Sequence, residues 1–263
     1  MLKLKYRNLT FSFDGGYSGN VMKTIEKGNF YEQRMLQYIE NLDLKHSTIV
    51  DIGANIGNHS IYLATFIESV EVLAIEPHPK NYSVLVKNIK NNKLENKIKP
   101  YNLAIGDKAG RCSIQDGPLG NLASSKVVEG EEIEVKTLDE LLNNKYISLI
   151  KIDVEGYEVN VLRGATKILQ QQSPFLFIEA QTLKAKKLLD NILYPLAYRP
   201  IKVFNSTDTY LYIKNPHYDS FFHMLSSNLY LSLQRLGRVI RRTPYFRWAG
   251  ERLSKIKRGL PKS

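Results

Sequence analysis

The stretch Val50-Asp51-Ile52-Gly53-Ala54-Asn55-Ile56-Gly57 runs an apolar strand into a glycine turn, and it restricts the fold more than any other part of the chain. Thr48 and Ile49 lead into it, and Ser60 to Phe66 reads as a helix beyond it. Backbone N–H groups at the start of such a helix point at whatever lies above the strand end. A second apolar strand, Glu71 to Ile75, ends in Glu76, 25 residues after Asp51. A carboxylate at that point is placed to accept both hydroxyls of a ribose.

Two cofactor classes use this geometry, and the turn separates them. A dinucleotide loop needs G-x-G-x-x-G so that the backbone can close on a pyrophosphate. Here Asn55 and Asn58 stand at the second and third glycine positions, where side chains would crowd a pyrophosphate. S-adenosylmethionine has no pyrophosphate and offers the loop an amino-acid end to hydrogen-bond, so it fits better. The alternatives are a nucleotide (NAD)-binding oxidoreductase and a non-catalytic scaffold using its tail to bind partners; intact Gly53, Glu76 and Asp153 speak against lost chemistry.

With 263 residues the chain suits one α/β domain with additions. Cys112 is the single cysteine, which excludes an intramolecular disulfide or a cysteine-cluster metal site and agrees with a reducing cytoplasm. The N-terminus lacks a signal-peptide stretch, and no run approaches the ~18 apolar residues of a membrane span. A cytoplasmic protein is therefore expected, dissolved or peripheral on the inner membrane face.

Strand and helix alternate from Ile49 onward, which predicts a mostly parallel sheet with ligands at the carboxyl ends of its strands. The strands read as Thr48 to Asp51, Glu71 to Ile75, Ile98 to Ala104, Ser148 to Asp153, Phe175 to Glu179, Ile201 to Asn205 and Tyr210 to Lys214. Only Ser206-Thr207-Asp208 parts the last two, so they form an antiparallel hairpin, because a parallel crossover needs a dozen residues or more. The expected fold is α/β and Rossmann-like, a mostly parallel seven-stranded sheet with a reversed terminal strand, as in class I S-adenosylmethionine methyltransferases. Residues 1–46 read as an N-terminal cap with two short strands and a helix, Tyr31 to Leu42, that turns Met35, Leu36 and Ile39 inward. Residues 47–214 form the main domain and 215–263 a basic helical tail. The loop from Gly117 to Ser125 lies between two strand-like pieces and reads as a lid or as a plain surface excursion.

Ile150-Lys151-Ile152-Asp153-Val154-Glu155-Gly156 is a second apolar strand ending in acid. Period two sets Glu155 on the side of Asp153, and the neighbouring strand ends in Glu179. Three acids so placed are expected to accept a proton, to hold a cation such as Mg²⁺, or both. Glu155 has an alternative as an ion-pair partner of Lys151 or Arg163. His59 and His78 read as structural or exposed, since neither has a second histidine or cysteine at ligand spacing. Methyl transfer from a sulfonium needs an aligned nucleophile and a proton acceptor, and a carboxylate suits an alcohol. The segment lacks the Asn/Asp-Pro-Pro-aromatic turn of DNA amine methylation, and clustered acids repel phosphates. A hydroxyl on a sugar or small metabolite is the expected acceptor, and nucleic acid is not an expected partner.

These residues resemble the FkbM-type methyltransferase family from about Asn29 to Glu179. The match rests on Phe30-Tyr31-Glu32, the Asp51 to Gly57 turn, Ile75-Glu76-Pro77-His78-Pro79-Lys80-Asn81 and Asn102 to Asp107. Thr137-Leu138-Asp139, Ile150 to Glu158 and Leu162-Arg163-Gly164-Ala165 complete it. The resemblance implies S-adenosylmethionine-dependent O-methylation, with Asp51, Gly53, Asn55, Gly57 and Glu76 in the cofactor site. It also implies Asp107 on the adenine side and Asp153 beside the sulfonium.

Residues 221–263 hold ten Lys or Arg against Glu251 alone, so the chain's net charge of +11 is mostly a property of the tail. That distribution argues against a domain built to track a nucleic-acid backbone. Phe222, Leu225, Leu229, Leu233, Leu236 and Ile240 fall on one helical stripe with the arginines largely off it. Such a helix reads as an element for an anionic membrane surface, near a lipid-linked glycan acceptor, or as one that packs on its own domain.

Overall fold

Strands covered on both faces are mostly apolar, and the segments Thr48–Ile52 and Ile147–Ile152 are buried at every position, their charged members Asp51 and Lys151 included. A computed structural model, described over residues 1–15, 19–44, 46–68, 70–118, 122–142, 145–214 and Leu231, places them side by side at the centre of a sheet. The chain begins with the antiparallel hairpin β1 (Leu2–Tyr6) and β2 (Leu9–Phe13), then α1 (Gly19–Glu26) and α2 (Gln33–Glu40). The first half of the main sheet follows: β3 (Thr48–Ile52), α3 (Asn58–Phe66), β4 (Glu71–Ile75), α4 (Pro79–Asn91) and β5 (Ile98–Tyr101). A three-stranded sheet comes next, from β6 (Ala104–Ile105), β7 (Gly110–Gln115) and β8 (Lys126–Lys136). The main sheet resumes with α5 (Leu138–Leu141), β9 (Ile147–Ile152), α6 (Glu158–Arg163), α7 (Thr166–Gln171) and β10 (Phe175–Glu179). It closes with α8 (Leu183–Leu193), β11 (Tyr198–Phe204) and β12 (Thr209–Lys214).

The seven-stranded sheet has the order β11-β12-β10-β9-β3-β4-β5, parallel from β10 through β5. β12 is antiparallel to both neighbours, so the reversed strand that ends the chain order sits inside the sheet, between β10 and β11. This is the α/β, Rossmann-like architecture expected from the element order. One predicted strand, Ile98 to Ala104, is two. Asn102 breaks it by donating its side-chain amide to the carbonyls of Glu76 (2.9 Å) and Pro77 (3.0 Å), and Ala104 leaves for the smaller sheet.

The hairpin and α2 are part of the core. Phe11, Phe13, Phe30, Met35, Leu36 and Ile39 share one apolar cluster with Tyr62, Val72 and Leu85. Phe30 stands edge-on to Tyr62 and Phe11, both with centroids 5.0 Å away. Asn88 of α4 and Asn92, which caps its C-terminus, tie the hairpin down by its backbone. Asn88 accepts from the Asp14 N–H (2.7 Å) and donates to the carbonyls of Asp14 and Ile56 (both 2.9 Å), while Asn92 pairs both ways with Ser12. Of the tail, Leu231 is described, and it is buried in the second apolar cluster with β10, β12 and α8. The basic residues and apolar stripe of 221–263, and positions 119–121 of the long loop, lie outside the described residues. No described helix is long and apolar enough to cross a membrane.

Asn88→Ala strands a buried N–H and two carbonyls, so the free energy of unfolding is expected to fall by about 1–3 kcal/mol. Urea titration monitored by near-UV circular dichroism measures this; an unmoved midpoint would show that the hairpin is held by packing alone.

Candidate active site

The glycine bend after β3 is shaped by what touches it. Gly53 has φ +80°, and a Cβ there would collide with the Asp153 carbonyl oxygen, so no other residue fits. Its N–H and that of Ala54 both donate to the Ile75 carbonyl (2.9 and 3.0 Å), which draws the bend toward the end of β4. Asn55 adopts φ +52°, a left-handed conformation costly for a residue with a Cβ, and thereby aims its N–H at Glu76 Oε2 (2.8 Å). The His78 N–H donates to Oε1 at 2.9 Å. Burial pushes the Glu76 carboxyl up to about 7, with these two backbone donors working against the shift. Gly57, with φ +90°, packs against Leu85 behind the bend.

Gly53, Asn55 and Glu76 line a cavity of about 340 Å³ at the carboxyl ends of the parallel strands. Its opposite wall carries Asp153, Glu155 and Glu179, each offering an oxygen within 4.8 Å of the others. Burial, the two neighbouring carboxylates and a hydrogen bond with Asp153 raise the Glu179 carboxyl to about 9, so this group keeps its proton at neutral pH. Burial and Asp153 also raise Glu155, which takes a left-handed φ of +54° and accepts a hydrogen bond from Gln181. The expected ion pair of Glu155 with Lys151 or Arg163 does not form, because Lys151 is engaged elsewhere.

Lys151 points into the gap between β3 and β9. It is the register partner of Asp51, and parallel partners present their side chains on the same face. The ammonium lies 3.1 Å from Asp51 Oδ1, 3.5 Å from Asp153 Oδ2 and 3.3 Å from the Gly53 carbonyl oxygen. Burial alone would lower the lysine and raise the aspartate; their mutual attraction wins, the Ser60 hydroxyl adds a 2.6 Å bond to Asp51, and both ions stay charged. Asp51 is fully buried and braces the bend from behind instead of facing the cavity.

Two expectations need correction. Asp107 is not brought to the cleft: it is exposed, in the bend between β6 and β7, and lines a separate groove with Thr137, Asp139 and Arg163. The two histidines are buried on the cavity wall, not exposed. His78 caps α4 by accepting from the Lys80 N–H (3.2 Å), so its Nε2 donates to Asp116 (2.9 Å). Together with the Asn81 bond to the Leu122 carbonyl (3.1 Å), this fastens the β7–β8 loop beside Glu76.

Residues 51–218, more than half of the chain, match the methyltransferase FkbM domain. The chain belongs to the FkbM methyltransferase family. Its relatives include the hexuronic acid methyltransferase AglP of Haloferax volcanii, 27% identical over 153 residues that cover 56% of this chain and 62% of that protein. Methyltransferase sdnD of Sordaria araneosa is 28% identical over 155 residues, 44% of this chain and 59% of that one. The chain thus spans about three fifths of the length of these curated relatives. A SAM-dependent methyltransferase from Aquifex aeolicus superposes with a TM-score of 0.44 at 14% identity, over 70% of this chain and 89% of that structure.

In this FkbM-family protein, reading the sequence missed Tyr31, Glu32 and His59, which line the cavity, and the true partner of Lys151. The lysine had a visible signal, a charge between Ile150 and Ile152 in a strand otherwise apolar. Removing it leaves Asp51 buried without a counter-ion. Lys151→Met is expected to cost about 3–5 kcal/mol of stability, and the double variant Asp51→Asn, Lys151→Met to recover part of that loss. Guanidinium unfolding of the three proteins measures both numbers.

Proposed function

We propose that the protein transfers the methyl group of S-adenosylmethionine to a hydroxyl of a sugar, glycan or small metabolite. The observation that carries this reading is the single cavity with Glu76 on one wall and the Asp153, Glu155 and Glu179 cluster on the other. Glu76, fixed by two backbone N–H groups, is suited to accept both hydroxyls of a ribose. Gly53 and Asn55 expose backbone where a ligand can approach closely, with Asp51 and Gly57 supporting them from behind. S-adenosylmethionine, when bound, supplies a sulfonium-activated methyl group. Asp153, whose carbonyl packs on Gly53, is the acid nearest the bend and would accept the hydrogen bond of the incoming hydroxyl and orient it for in-line displacement. Glu155 and Glu179 would hold further hydroxyls of the acceptor. Asn58, which an NAD-binding loop would need as glycine, instead spends its side chain on the backbone of Tyr31, which speaks against the oxidoreductase alternative. The name of AglP, a hexuronic acid methyltransferase, supports a sugar acceptor.

The same three acids are where Mg²⁺ would bind. The Lys151 ammonium and the proton on Glu179 already offset much of their charge, so turnover is expected to survive dialysis against EDTA. Asp153→Asn should lower kcat/KM by roughly 10²-fold or more while S-adenosylhomocysteine still binds. A radiolabelled methyl-transfer screen over glycan, lipid and small-molecule fractions measures both, and full turnover in the variant would remove Asp153 from the mechanism.

Glu76 supplies a pH test that needs no acceptor. With its carboxyl near 7, folding contributes stability from the protonated form that is lost as pH rises through that value. A ribose diol donates to the ionised form, so ligand binding runs the other way. S-adenosylhomocysteine is expected to bind about tenfold more tightly at pH 8 than at pH 6 by calorimetry, and Glu76→Gln to weaken binding and flatten that dependence.

A further inference from the structure

Glu32 is a cavity acid that the sheet does not supply. It precedes α2 with φ +57° and ψ +31°, a left-handed conformation that a side-chain-bearing residue adopts only when its surroundings impose it. Asn58, the first residue of α3, imposes it: its Oδ1 accepts from the Tyr31 N–H (3.0 Å) and its Nδ2 donates to the Tyr31 carbonyl (3.1 Å). The next residue is His59. Its Nε2 lies 3.3 Å from Glu32 Oε2, shut off from solvent, and its ring sits 6.3 Å from the Tyr31 ring at 35°. Nε2 makes no hydrogen bond to a described residue, and the side chain, with Nδ1 on the other edge of its ring, lines the cavity.

We propose that His59 takes the proton of the acceptor hydroxyl through Nδ1, and that Glu32, at ion-pair distance from Nε2, is its positioning residue and stabilises the imidazolium by its charge. The proposal rests on the methyl-transfer reading above. The acceptor O–H bond breaks with its proton going to Nδ1, the oxygen lone pair forms the O–CH₃ bond, and the S–CH₃ bond breaks with its electrons on sulfur. The acid cluster is poorly suited to be the final proton acceptor. Asp153 is engaged by Lys151 and bonded to Glu179, which already carries a proton. Histidine is the side chain that exchanges a proton near neutrality. Its place in the first turn of α3 puts it at the positive end of the helix dipole, which opposes an imidazolium, and Glu32 offsets that field. The other ionisable groups around the pair are Tyr31 from the cap, Asp51 from β3, Lys151 from β9, Asp153 beyond it and Glu179 from β10.

Long-range ¹H–¹⁵N spectra of the protein alone test the pair without any acceptor; the chain has five histidines, and His59→Asn assigns the resonance by its disappearance. The expected neutral form carries its proton on Nε2, beside Glu32, and Glu32→Gln should move the tautomer balance of His59 toward Nδ1. A neutral form protonated on Nδ1, or a tautomer balance that Glu32→Gln leaves unmoved, overturns the proposal. With S-adenosylmethionine and a panel of methyl glycosides, His59→Asn is expected to lower kcat by about 10²-fold or more. Glu32→Gln should lower kcat with KM little changed, and an undiminished His59→Asn also overturns the assignment. Calorimetry with S-adenosylhomocysteine separates the two ideas: no binding to the unaltered protein sinks the methyl-transfer reading, whereas failure of the histidine assignment leaves that binding intact.

Discussion

One buried ammonium holds the centre of this molecule together. Lys151 bridges the adjacent strands β3 and β9 through Asp51 and reaches on to the Gly53 carbonyl and to Asp153. It thereby joins the glycine bend after β3 to Asp153 of the acid cluster. An ion pair of this kind adds little net stability over an apolar pair of equal volume, because each charge is costly to desolvate. Its value is positional: with Asp51 at 0% exposure, neither ion can shift without leaving the other uncompensated.

Around that pivot, the cavity is made by backbone held in sparsely populated conformations. Glu32, Asn55 and Glu155 all have positive φ without being glycine, and all three line the cavity. Each strained residue is braced by neighbours already in place: Tyr31 is clamped by Asn58, Glu76 accepts from Asn55, and Gln181 donates to Glu155. Strain concentrated at one cleft is the pattern of a site whose groups must be fixed before a ligand arrives. The cap contributes two of the wall residues, Tyr31 and Glu32, so it is part of the site and not only a cover for it.

Much of the site was legible because its parts lie at the ends of apolar strands. Gly53, Asn55, Glu76, Asp153, Glu155 and Glu179 were placed by strand period and by the spacing of acids, and the cavity gathers all six. Asp107 misled because it follows a strand in the family motif, yet it sits exposed in the bend that leads to β7 and lines a separate groove. Glu32 and His59 escaped because they are 27 residues apart and belong to different helices. Nothing in local periodicity says that two helix starts will meet.

The alternation of strand and helix, the hairpin joint at Ser206-Thr207-Asp208 and the glycine bend determined the α/β class, the run of parallel strands and the edge of the sheet that carries chemistry. These are local matters, set by hydrophobic period, turn chemistry and the length of connections. Tertiary structure alone decided that β12 enters between β10 and β11, that Lys151 answers Asp51, and that the cap brings Glu32 to His59. The physical reason is common to all three. Each depends on which surfaces meet when the sheet and its covering helices close on one core, and that information is distributed over residues far apart in the chain.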